Sequence, residues 1–252
     1  MIKVHKNLDD IPLTLIERKT DKRRNICIKD KKYHQKKEFH QRYKQKDVKE
    51  FLSRIYNQKC AFCEQEIAEC INNELGDCSS TVEHYRPKSI YYWLAFSWDN
   101  LLWCCHRCNQ NKKNTFDVTK KLGTFKKVTF LRKNRTHNMS KIYSRIEKPF
   151  MINPELESVL NKLSFVDGII SSTDSRVQYT ISTCRLDRDD LNEKRLEILE
   201  AFIANAKKRN RLNKSYKDVL DNLKEEFINE KSEFRALKFW ILKNHKSLIE
   251  GD

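Results

Sequence analysis

The chain has 252 residues, 38% hydrophobic and 34% charged, with only four glycines and four prolines. That balance excludes a collagen-like chain or a loop-rich sandwich, and favours long helices around a sizeable core. Lysine and arginine total 51 against 35 acidic residues, a formal net charge of +16. Such a surplus draws polyanions, nucleic acid foremost, although a Lys-rich chain with merely solvated basic faces is the plainer alternative.

In chain order, residues 1–45 are dense in Lys and Arg (Arg18, Lys19, Lys22, Arg23 and Arg24 among them) and read as a solvated basic arm that could also track phosphates. No apolar signal segment is evident over Met1 to Asp10, so a cytoplasmic location is expected. From Asp47 the spacing of Val48, Phe51, Leu52 and Ile55 predicts a helix leading to Cys60. The most apolar stretch, Ile90 to Trp98, is too short to span a bilayer. An irregular segment follows to about Pro154. β-branched and aromatic residues over Leu163 to Ile181, around Asp167-Gly168, predict a hairpin or two short strands. From Asp187 onward three apolar stripes predict helices: Leu196, Leu199, Phe202, Ile203 and Ala206; then Tyr216, Val219, Leu220, Leu223 and Phe227; then Phe234, Leu237, Trp240, Ile241 and Leu248.

The nine cysteines are odd in number, which argues against a disulfide framework. Cys60-Ala61-Phe62-Cys63 and Cys105-His106-Arg107-Cys108 instead set two thiolates each on a tight turn, the spacing a closed tetrahedral zinc site needs. Cys104 competes with Cys105, but only Cys105 has the two-residue spacing to Cys108. Cys27, Cys70, Cys78 and Cys184 have no such partner and take no metal role. His106 reads as a surface or substrate contact.

Between the two pairs, Glu83-His84-Tyr85-Arg86-Pro87-Lys88 sets a carboxylate and an imidazole before two cations. Hydrolysing a phosphodiester needs a base near neutrality, a divalent cation and cations to hold the strand. His84 suits the first role. Glu83 and Asn109 offer hard oxygen ligands for Mg²⁺ or Mn²⁺, and Arg86, Lys88 and Lys112 suit contacts to nucleic acid. Arg86 pairing with an internal carboxylate is an equal alternative. Trp93, Trp98 and Trp103 read as packing around a small zinc core, and His5, His34, His40, His137 and His245 as surface residues.

Glu83-His84, Asn100 and Asn109 nine residues later, with a Cys pair interleaved, resemble the HNH nuclease family. The resemblance implies a ββα-metal fold in which His84 is the general base, Asn100 fixes the loop that orients it, and Glu83 and Asn109 hold one catalytic metal. Glu83 stands where that family more often has Asp, and Asn109 where His is commoner; both still supply oxygen. A wider set, Cys60 to Glu64, Glu83 to Ser89, Trp98 to Leu101, Cys108-Asn109 and Lys112, looks like the HNH subunit of Septu and retron-associated antiphage systems. Ile152-Asn153-Pro154, Asp167-Gly168 and Leu186-Asp187-Arg188, with Leu191 and Arg195, extend it to about residue 200. That likeness implies a partner, an ABC/SMC-like ATPase that restrains or triggers the nuclease; the C-terminal stripes suit docking on that ATPase or on another copy of this chain, a homo-oligomer within the complex.

The expectation is therefore an α+β protein: a basic arm over 1–45, a zinc-stabilised nuclease core over 46–120, a connecting segment with short strands over 121–185, and a helical docking domain over 186–252. The expected activity is endonucleolytic, on DNA more than on RNA such as tRNA. A zinc module that binds without cutting is the competing reading; it leaves Glu83-His84 and Asn109 without a task.

Overall fold

In the computed structural model, residues 1–67, 80–126, 136–212 and 214–250 are described below. Cys70 and Cys78 lie outside them.

The N-terminal region is a folded layer, not a solvated arm. It forms α1 (Leu13–Ile16), α2 (Arg18–Asp30), α3 (Lys37–Tyr43) and α4 (Lys46–Ile55). In α2 the inward positions Thr20, Arg24 and Cys27 recur at helical spacing, so a stretch that reads as uniformly basic has one buried face. Arg24 donates through its two terminal nitrogens to Asp21 and to the Phe96 carbonyl, the latter at 3.2 Å, while its Nε has no partner among the described residues and its stem packs. Phe39 and Tyr43, four apart, bury the inner side of α3. Upstream of these helices, Lys6 is buried: its ammonium meets the Leu101 carbonyl and Glu155, both at 2.5 Å, and lies 4.3 Å from the centre of a Trp98 ring. The expected helix before Cys60 is α4, which buries Val48 and Leu52.

The centre of the molecule is an antiparallel pair, β1 (Ser80–His84) and β2 (Leu101–Cys105), with Val82 opposite Trp103, Glu83 opposite Leu102 and His84 opposite Leu101. β2 runs directly into α5 (His106–Lys112). Because side chains alternate across a strand, Thr81 and Glu83 share one face of β1, and α5 covers it. The Asn109 amide donates to the Thr81 hydroxyl at 2.9 Å and the Lys112 ammonium to Glu83 at 2.7 Å. Three positions apart, Asn109 and Lys112 lie on one side of the helix. Trp93, Trp98 and Trp103 are all buried, as packing requires.

Downstream come α6 (Ser140–Glu147), the strands β3 (Ser164–Val166) and β4 (Ile169–Ser171), α7 (Ser175–Cys184), α8 (Asp189–Arg211), α9 (Lys217–Ile228) and α10 (Arg235–Glu250). The expected hairpin is present but ends at Ser171. Ile181, read as part of a strand region, sits in α7, because Asp174 caps that helix by accepting from the Arg176 and Val177 amides. Asp167 and Gly168 turn the hairpin with positive φ, 49° and 77°, the backbone that a two-residue turn of this kind demands. A Cβ on Gly168 would also stand 2.3 Å from the Asn192 carbonyl oxygen. The three predicted stripes fall on α8, α9 and α10, with Phe234 just ahead of the last, and Leu199, Phe202, Ala206, Leu223, Leu237 and Ile241 are buried. The fold is α+β, mostly helical, with two small sheets among the described residues. Among the described residues no helix is long and apolar enough to cross a membrane.

Candidate functional site

The two cysteine pairs converge. The ligand atoms of Cys60, Cys63, Cys105 and Cys108 all lie within 4.8 Å of one another. The first pair sits in a tight turn closed by Cys60 N–H to the Gln65 carbonyl at 2.9 Å, and Ala61 N–H to the Trp103 carbonyl ties that turn to β2. The second pair spans the β2–α5 junction, where Cys105 is the helix cap and accepts from the Cys108 amide. Four zinc–sulfur bonds near 2.3 Å in a tetrahedron put sulfurs about 3.8 Å apart. Cys63 and Cys105 sulfurs are 3.8 Å apart. Hydrogen bonding from Cys104, Cys108, Cys60 and Cys63 holds the Cys105 thiol far below its ordinary range, whereas sharing with Cys105 pushes Cys63 well up. Such a cluster divides its protons between thiolates and thiols; a dication lets all four ionise together. The group therefore could hold a metal such as zinc. Cys104, fully buried, stands 3.8 Å from Cys60 but outside the four-ligand group.

Side-chain contacts tie the distant C-terminal helices to this centre. Arg188, at the cap of α8, donates to the Cys108 sulfur at 3.5 Å. Its neighbour Asp190 pairs with both Arg188 and Arg107 at 3.0 Å. No spacing rule marks Arg188 in the sequence, since its partner lies 80 positions away.

His84 ends β1. Its Nε2 is 2.9 Å from the Ala95 carbonyl oxygen. A carbonyl can only accept, so Nε2 carries the proton and Nδ1 is left as the basic nitrogen. Burial, then the charges of Lys88, Lys112 and Lys44, holds His84 well below the usual histidine range, so the ring is neutral at pH 7. The edge of the Tyr43 ring meets it, centroids 4.5 Å apart. The loop behind it is pinned by Asn100. Its side-chain oxygen accepts from Arg86 N–H at 2.8 Å, and its amide nitrogen donates to the Arg86 and Leu94 carbonyls at 3.1 and 3.2 Å. Asn100 is fully buried, so these bonds have no water to replace them.

Glu83 faces α5, on the opposite side of the strand from His84, where it meets Lys112. Asn109 stands on the same side, half-exposed, bound to Thr81. Among the described residues no second group of three or more His, Cys, Asp or Glu comes together. A divalent ion here would thus have one carboxylate and one amide from the protein. Mg²⁺ commonly takes that kind of set, completed by water and substrate phosphate.

Two expected strand contacts are corrected. Arg86 is fully buried and turned inward: Nε donates to Glu147 at 2.9 Å and Nη2 to Ser144 at 3.1 Å, and Tyr91 and Gly123 satisfy the other Glu147 oxygen. The internal carboxylate outcompetes phosphate because a buried guanidinium needs a fixed counter-charge. Lys112 is likewise fully buried; its amine is shared between Glu83 and the His84 carbonyl at 2.9 Å, making it a brace between strand and helix. Lys88 remains half-buried at the surface, its ammonium 5.5 and 5.7 Å from the Tyr33 and Tyr43 ring centres. His106 is half-exposed on the knuckle. His137, read as a surface residue, is buried and accepts from Trp98 N–H at 3.1 Å.

Two curated proteins match this chain. A Septu protein PtuB of Bacillus mycoides (strain KBAB4) is 39% identical over 90 residues, covering 30% of this chain and 28% of the relative. A second Septu protein PtuB, from Bacillus thuringiensis, is 38% identical over 73 residues, covering 29% and 26%. The chain thus spans less than a third of the length of each of these relatives. No family model matches, and no solved structure matches.

Proposed function

We propose that this chain is a metal-dependent endonuclease of the HNH type, acting on nucleic-acid phosphodiesters, DNA ahead of RNA, within a Septu-like antiphage defence system. The observation that carries the reading is His84: a neutral imidazole held through Nε2 by the Ala95 carbonyl, its Nδ1 without a hydrogen-bond partner among the described residues, beside a loop that Asn100 pins. A neutral imidazole keeps a ring nitrogen lone pair that can accept a proton from water. Its Nδ1 would accept that proton as the water attacks phosphorus, while Asn100 keeps the ring from turning away.

Glu83 and Asn109 would hold a Mg²⁺ or Mn²⁺ ion, with Lys112 orienting the Glu83 carboxylate against the strand. Such an ion supplies charge neutralisation at the phosphate and the leaving oxygen. Cys60, Cys63, Cys105 and Cys108 would hold a structural zinc that fixes the β2–α5 junction and, through it, Asn109. Lys88 would contact the strand. The products expected are a 5′-phosphate and a 3′-hydroxyl. The two Septu relatives support a place in a defence complex; the partner within it would be an ABC/SMC-like ATPase subunit.

The test is incubation of plasmid DNA together with total tRNA in Mg²⁺ or Mn²⁺, with the wild type and His84→Ala in parallel. Cleavage by the wild type that falls about 10²–10⁴-fold in the variant supports the base assignment, and the degraded species separates DNA from RNA. Equal cleavage by both would remove His84 from the mechanism. Where neither cuts alone, the same pair is assayed with the ATPase.

A further inference from the structure

Beside His84 lie two lysines and a histidine from two remote parts of the chain. Lys88 follows β1, while His40 and Lys44 belong to α3 and the residue after it. Among the described residues neither Lys44 nor Lys88 forms an ion pair. Lys88 instead rests over the rings of Tyr33 and Tyr43. The neighbouring carboxylate, Glu83, is already taken by Lys112. Positive charge is thus gathered here and left uncompensated, which costs free energy unless an anion is present.

The tyrosines fix His40 as well. The Tyr43 and Tyr33 hydroxyls lie 3.0 and 3.5 Å from its Nδ1. An Nδ1 that accepts from one of these hydroxyls leaves the proton on Nε2. Tyr43 is also the residue whose ring edge meets His84, so one side chain positions both histidines. Outside them opens a cavity of about 630 Å³ lined by Lys37, His40, Gln41, Lys44 and Gln45, without a carboxylate among them. Burial, then the charges of Lys88 and Lys44, lowers His40 from its ordinary value; the three groups feel one another, as a shared ligand site requires.

We propose that His40, Lys44 and Lys88 form a binding site for a backbone phosphate of the nucleic-acid strand, next to the one cut at His84. The inference rests on the nuclease reading for its choice of ligand and gives the N-terminal helical layer a role in substrate binding. Arg86 and Lys112 are buried in internal pairs, so α3 supplies strand contacts that the central motif does not.

The experiment is the salt dependence of binding of a labelled DNA duplex by the full chain, without divalent metal, followed by fluorescence anisotropy. Each phosphate contact contributes about −0.9 to the slope of log affinity against log salt. Lys44→Ala should weaken the slope by about 0.9, the double variant with Lys88→Ala by about 1.8, and Lys44→Arg should restore it. Lys246→Ala, on an exposed position of α10, controls for general charge loss. Lys44 is exposed, so its removal does not threaten folding. An unchanged slope in Lys44→Ala, an equal drop in Lys246→Ala, or no binding by the wild type would overturn the site. Cleavage scored in the same preparations separates the two ideas. Cutting that needs His84 but ignores Lys44 leaves the nuclease without this site; a slope that depends on Lys44 with no cutting, even beside the ATPase, leaves the site without the nuclease.

Discussion

Arg86 sits two positions beyond a candidate base, yet the interior claims it. Glu147, Ser144 and the Tyr85, Phe116 and Tyr143 rings surround its guanidinium. Removing one member strands the other charge in a dry site, so Arg86→Ala should destabilise the fold by about 3–5 kcal/mol, read by denaturant unfolding. A folded variant that loses only salt-dependent DNA affinity would return Arg86 to the strand. Asn100 makes a contrasting case, since its three bonds serve backbone groups. Asn100→Ala leaves those groups unpaired at a cost of about 1–3 kcal/mol. If the nuclease reading holds, cleavage should fall in Asn100→Ala under conditions where circular dichroism still shows a folded chain.

At the scale of elements, the cysteine turns and α5 depend on each other. Cys105 caps α5 and Cys108 sits in its first turn, so losing the metal frees the start of the helix that carries Asn109 and Lys112. Cys63→Ser should lower zinc content by elemental analysis from one per chain, and a strong chelator should shift the wild-type melting temperature down toward that of the variant. Unchanged metal content in Cys63→Ser would move the ligand role elsewhere, Cys104 being a thiol 3.8 Å from Cys60. These turns were legible in the sequence because a two-residue spacing is a local geometric constraint. The helices after Asp187 were legible through their period. The layer over residues 13–43 was hidden for a physical reason: Lys6 and Arg24 bury charged side chains against carbonyls and carboxylates 72 to 149 positions away, and no local pattern announces such partners. Phe39 and Tyr43, four apart beside His40, are a local signal of this layer. Helix α7 was missed because β-branched residues suggested a strand where the Asp174 cap decides for helix.

For the whole molecule, acid is the condition most telling of how the parts are joined. His137 is buried with its Nδ1 accepting from Trp98 N–H, and burial followed by the charge of Arg24 pulls it down to about 3. The unfolded chain binds a proton at this residue below about pH 6.5, and the folded chain does not until about pH 3. The contribution is therefore complete above pH 6.5 and declines as pH falls from there toward 3. Urea midpoints across that window should drop in the wild type and drop less steeply in His137→Asn, which keeps an acceptor without the titration. Parallel curves would show that other groups carry the acid sensitivity. The Trp98 amide lies two residues before Asn100, so the same protonation reaches the loop behind His84.

The register of β1 against β2 bears on how such a chain can vary. Adjacent residues Glu83 and His84 face opposite layers, one toward α5 and the other toward α3. A single-residue insertion or deletion within Ser80–His84 would exchange their sides, putting the imidazole against Lys112 and the carboxylate beneath Tyr43. Point substitutions can be absorbed one face at a time, but a frame-preserving indel in this strand inverts both at once. Length polymorphism among descendants of this chain should consequently fall outside these five positions.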